Sequence, residues 1–166
     1  LVLENYDQAQ IFCESAIAEV QGDNTERLLG GYLDTQAQIQ LAQGNASTAL
    51  ATLQQILNFP GACEDASLIV DVRCHLVLAY LAVGQLEAAQ SHWISLTRSN
   101  DPRQEIEYNL AGGWLGRARG DLPTAKKCLH QARQRMEASG YAVYANSIQR
   151  LELAIRNPSL PADLRF

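Results

Sequence analysis

One phrase recurs three times in this 166-residue chain. A small or apolar residue is followed by glycine seven positions on, alanine five beyond that, and a large apolar residue four further. The copies are Ala37-Gly44-Ala49-Leu53, Val77-Gly84-Ala89-Trp93 and Gly113-Gly120-Ala125-Leu129, and their glycines are 40 and 36 residues apart. A period of that length belongs to stacked helical hairpins, in which each unit hides apolar surface that its neighbour leaves open. The glycine suits the left-handed residue that closes one helix. Two helices that cross closely need a side chain no larger than alanine at the crossing, with a bulky neighbour filling the gap beside it.

Composition agrees with helix. Alanine, leucine and glutamine dominate, 47% of residues are apolar, and proline is limited to five. Long alternating Val/Ile/Thr runs, which would signal sheet, are missing. Caps and periodicity predict about eight helices, near 4–20, 24–43, 46–57, 66–83, 86–99, 102–119, 122–139 and 141–156. Asp23-Asn24-Thr25-Glu26 has capping-box form, and Asp101-Pro102 and Asp121-Leu122-Pro123 open further helices. The short links after Gly44, Gly84 and Gly120 make antiparallel hairpins, whereas Asn58 to Asp65 is a longer connection. From Leu68 to Val83 the chain is apolar around most of a helix circumference, which demands cover on more than one side. The expectation is one all-α domain over 1–157. It comprises a partial repeat at 1–22, repeats near 24–61, 65–100 and 101–139, and a terminal helix at 141–156; the tail, 158–166, contains Pro158 and Pro161.

Several function classes are disfavoured. The longest unbroken apolar run, Leu76 to Val83, has eight residues against the roughly 20 of a membrane helix. Glu4 and Asp7 with no basic cluster do not resemble a secretory signal, and with no initial Met a piece of a longer or processed protein is expected. Cys13, Cys63, Cys74 and Cys128 form no C-x-x-C pair, so packed, reduced thiols in a cytoplasmic setting are expected. Cys74-His75 lacks companions at metal-ligand spacing, and although Asp65 and Asp71 could converge with it on a metal, none is expected. The glycine run Ala111 to Gly116 lacks the lysine-serine/threonine ending of a phosphate loop and follows no strand. His75, His92 and His130 have no catalytic partner at local spacing. Arg119-Gly120-Asp121 falls on a predicted turn. Lys126, Lys127, Arg133 and Arg135 read as a solvated face rather than a nucleic-acid site. Neither an enzyme nor a bound cofactor or metal is expected. Charge is uneven: residues 1–97 hold two basic and eleven acidic side chains, net −9, while 98–166 hold eleven basic and seven acidic, net +4. An acidic front and basic rear suit a charged partner, or self-association, and equally solvated faces that happen to differ.

The three copies resemble the tetratricopeptide repeat family in a divergent, long-helix form. Ile56, Leu96 and Ala132 extend the likeness, and Tyr6-Asp7-Gln8-Ala9 with Cys13 and Ala16 resembles the second helix of an earlier repeat. Tyr80 alone keeps the aromatic residue four before the glycine, and Leu33, Arg73 and Asn109 stand where the family has an early tryptophan. The resemblance implies a right-handed superhelical stack of antiparallel hairpins, an α-solenoid, that binds a protein or peptide, or another domain of its own polypeptide. It implies a concave face carrying Asp34, Gln38, Asp71, Cys74, Leu78, Glu107, Leu110, Trp114 and Arg117. Trp114 and Arg117 would make an aromatic–cation anchor there, unless Trp114 packs beneath the last helix. The long form is also similar to helical sensor segments of bacterial signalling ATPases and transcription regulators. On that alternative the array closes around a small ligand. A deep enclosed pocket would favour the ligand and an open groove the peptide.

Overall fold

The computed structural model describes residues 6–20, 25–97, 99–157 and 159, which are helical and contain no strand. The helices are α1 (Tyr6–Glu19), α2 (Thr25–Ala42), α3 (Ala46–Ile56), the single turn α4 (Pro60–Cys63), α5 (Ala66–Ala82), α6 (Leu86–Ile94), α7 (Pro102–Ala118), α8 (Leu122–Ser139) and α9 (Ala145–Arg156). A 3-10 turn, Ala142–Tyr144, precedes the last. Asp23 and Asn24 of the expected capping box, and all of the expected tail but Ser159, lie outside the described residues.

The three hairpins close in the same way. Gly44, Gly84 and Gly120 have φ of 83°, 78° and 75°, where a Cβ is strained. Each glycine donates its N–H three residues back, to Leu41, Leu81 and Arg117. The following residue donates five back, to the carbonyls of Gln40, Tyr80 and Gly116, at 2.8 Å in every copy. This double bond satisfies carbonyls that a helix end leaves open. Around the closures Ala37, Ala49, Val77, Ala89 and Ala125 are fully buried.

Caps set the helix starts. The Asp101 carboxylate accepts from the Gln104 N–H and that of Asp121 from Thr124, as the sequence implies. Asp65, read from sequence as the end of a connection, caps α5 by accepting from Ser67 and Leu68. Three boundaries differ from expectation. α6 stops at Ile94, not near 99, because the Ser95 hydroxyl donates to the His92 carbonyl and Arg73 captures the Ser95 carbonyl. Thr97, Ser99 and Asn100 then favour turn bonding over helix. The Asn58–Asp65 connection winds one turn, with Pro60 at its first helical position. The segment from 141 begins as a 3-10 turn rather than α-helix.

α2 packs on α3, α5 on α6, and α7 on α8; α2 also meets α5, α5 meets α7, and α7 meets α9. α1 lies on α2, while α3, α6 and α8 each reach the pair that follows, at α5, α7 and α9. Two apolar cores result. Leu33, Ala37, Leu53, Ile56 and Ala62 join Val72, Leu76 and Ala79 of α5 in one. Val77 and Leu78 of α5 join Ile106, Trp114, Leu129 and Leu151 in the other. Feeding both cores explains why α5 is apolar nearly all round. In α7 the glycines are crossing points: a Cβ on Gly116 would sit 2.9 Å from the Ala125 backbone nitrogen. Among the described residues no helix is long and apolar enough to cross a membrane, and Cys13, Cys63 and Cys74 are free thiols.

Candidate functional site

α2, α5 and α7 are the first helices of the three hairpins, and a cavity of about 210 Å³ opens on the side they share. Its walls are Gln38 of α2, Cys74, His75 and Leu78 of α5, Glu107 and Leu110 of α7, Val143 and Tyr144 of the 3-10 turn, and Ser147 of α9. Gln38, Cys74, Leu78, Glu107 and Leu110 are five of the nine residues expected on the inner face. Their positions repeat relative to the small residue of each copy. Cys74 and Leu110 lie three before it, and Gln38 and Leu78 one after. Repetition of the chain thus places like registers side by side on one wall.

Two polar networks brace the wall. Asp34 is 2.7 Å from His75 Nδ1 and accepts from the Gln38 amide at 3.0 Å. Asp71 accepts from Arg103 at 2.8 Å and from the Gln104 amide at 3.0 Å. Arg103 also donates to Glu107, one helical turn on, and Glu107 accepts from the Tyr144 hydroxyl. Asp34 and Asp71 therefore hold the wall rather than form it.

The remaining two expected residues lie elsewhere. Trp114 is 2% exposed and packs in the core with Leu151 and Ala154 of α9. Arg117 sits 5.9 Å over its ring and donates Nε–H to the Ala154 carbonyl. The aromatic–cation pair exists, but beneath the last helix.

Electrostatics decide what these groups can do. Burial opposes charge on His75, yet the Asp34 charge and hydrogen bond, with Glu107 and Asp71 beyond, outweigh it and hold the imidazole pKa up at about 9. His75 is therefore an imidazolium at neutral pH, with Nδ1 committed to Asp34. Burial, reinforced by the charges of Glu107, Asp71 and Asp34, raises the Cys74 thiol well above its ordinary value. A protonated, enclosed thiol is a poor nucleophile. Burial first, then Glu107, likewise raises the Tyr144 phenol. For Arg103 burial acts downward, but its bond to Asp71 and the Glu107 charge prevail and secure its proton.

Wider depressions also lie among the described residues. One, of about 350 Å³, lies between α7 and α8 beside Tyr108 and Arg135. Another, of about 640 Å³, runs along α5 past Arg73 and Leu96. Neither gathers residues from all three hairpins, and neither is lined by a buried charge pair. The inner cavity does the first, and its wall includes His75, whose buried partner Asp34 lies behind it.

His75, Arg103, Val143, Tyr144 and Ser147 escaped the sequence reading of this site. His75 was within reach: it adjoins Cys74, and Asp34 holds the register of Cys74 one repeat earlier. Tyr144 was not, because its turn reads as the start of a helix. Asp65 caps α5 and Asp71 binds Arg103, so they do not converge on Cys74 and His75; among the described residues no cluster of three or more His, Cys, Asp or Glu side chains is arranged for a metal. Of the basic strip, Arg133 pairs with Glu152 and Arg135 with Glu105. No family model matches the chain, and no curated protein or solved structure matches it significantly.

Proposed function

We propose that the chain is a tetratricopeptide-like stack of hairpins, wound as a right-handed superhelix, that acts as a non-catalytic protein-interaction module. Its inner cavity receives one apolar side chain of a partner peptide or helix, the partner being another protein or another domain of the same polypeptide. The cavity carries this reading. At about 210 Å³ it is smaller than the ~300–1,000 Å³ typical of sites for drug-sized ligands. Leu78, Leu110 and Val143 supply apolar wall, and Val143, 78% exposed, forms an open rim. The charged groups nearby are engaged with one another, Asp34 with His75, and Asp71 and Glu107 with Arg103, an arrangement that fixes shape rather than one that performs chemistry. The identical closure of the three hairpins and their serial packing support the stacked form.

Selection of unstructured peptides displayed on phage tests the proposal. Enriched peptides should share one apolar residue, and their affinity should fall roughly tenfold or more on Val143→Arg, which blocks the rim without touching the core. Peptides that bind this variant as well as the parent chain would refute the assignment.

A further inference from the structure

The two ends of the helix order carry opposite chemistry. α1 holds Asp7, Glu14 and Glu19 with no basic residue, and α1 and α2 together are −4. α8 and α9 together are +4, with Arg150 and Arg156 on α9. Each end also shows apolar surface. Ile11 and Phe12 of α1 are 61% and 66% exposed, on the side away from Cys13, whose thiol donates to the Tyr32 carbonyl of α2. Leu153 of α9 is 48% exposed, on the side away from Leu151 and Ile155.

Helix packing gives these faces a matching form. α3, α6 and α8 each lie between the helix they follow and the next inner helix. α1 packs on the following inner helix, α2, as those three do on theirs, while its opposite face stays exposed. α9 packs on α7 and α8 as α7 packs on α5 and α6. Its outer face, which in α7 would meet a hairpin partner, stays exposed among the described residues.

We propose that the chain associates end to end, α9 of one copy seating against α1 of the next. The two helices then form between chains the pairing that α2 with α3, α5 with α6, and α7 with α8 form within one. Phe12 and Ile11 meet Leu153 at the centre, and acidic α1 faces the basic flank of α9. The contact is heterologous, so assembly grows as a string rather than closing as a two-fold dimer. Opposite charge steers the encounter and makes it sensitive to salt.

Sedimentation velocity of the full chain over a hundredfold range of concentration tests this. The mean mass should climb past the dimer at low salt and need roughly tenfold more protein for the same mass in ~0.5 M salt. Reversing one end with Glu14→Lys and Glu19→Lys, or the other with Gln149→Glu and Arg156→Glu, should leave each variant monomeric with an unchanged circular-dichroism spectrum. An equimolar mixture of the two should associate again, since each then offers the charge the other lacks. A chain that stays monomeric throughout, as it would if α1 served another segment or a different protein, overturns the proposal. So does a closed dimer, or a mixture of the reversed variants that fails to associate.

Discussion

At His75 a buried charge decides how the inner wall responds to pH. A histidine whose pKa rises on folding gives stability that is complete below its unfolded value of about 6.5 and is lost as pH climbs through about 9. Between pH 6.5 and 8, below the titration of unfolded thiols, stability should therefore fall by about 1–2 kcal/mol. His92, which burial and then Arg73 pull down, acts on the acid side of that window. In Asp34→Asn the burial of His75 is opposed only by the charges of Glu107 and Asp71, and the slope should flatten or reverse; urea midpoints at both pH values measure it. A slope that this substitution leaves unchanged would remove the pair from the account. Trp114 belongs to the same scale. Buried at 2% exposure, with an indole N–H that finds no partner, it fills space rather than recognises. Trp114→Ala should cost about 3–5 kcal/mol in chemical denaturation, whereas a surface residue would cost little. Sequence placed both residues on inner helices, but whether a side chain at a given register meets a groove or a covering helix depends on α9, thirty or more residues away.

Elements were the most legible level. Gly44, Gly84 and Gly120 announced the hairpin turns because φ near 80° is strained for other residues, and Asp101 and Asp121 announced helix starts because a carboxylate satisfies open amides. What sequence missed were features set by tertiary partners: Arg73 ending α6 through the Ser95 carbonyl, and the turn that lifts Tyr144 to Glu107. Helical glycines offer a sharp test of this level. Gly31→Ala in α2 meets nothing within 4 Å, so it should stabilise by roughly 0.5–1 kcal/mol through helix propensity. Gly116→Ala in α7 drives a Cβ onto the Ala125 backbone and should destabilise by about 1–3 kcal/mol. Thermal melts of the two variants should move in opposite directions; shifts of the same sign would contradict the close α7–α8 crossing.

For the whole molecule, the recurrence of one phrase foretold the helix order and the like registers that line the cavity, and the apolar girth of α5 pointed to a helix covered from two sides. The size of the cavity was illegible, since it depends on how Val143 and Tyr144 fold back over α5 and α7. That roof separates a socket for one side chain from an open trough. The most direct measurement is a methyl NMR titration of the full chain with a peptide enriched by selection. The account predicts that the resonances of Leu78, Leu110 and Val143 shift together and saturate at one peptide per chain, while those of Leu86 and Leu96 stay in place. Movement of Leu86 and Leu96 with a silent Leu78, Leu110 and Val143 would contradict it.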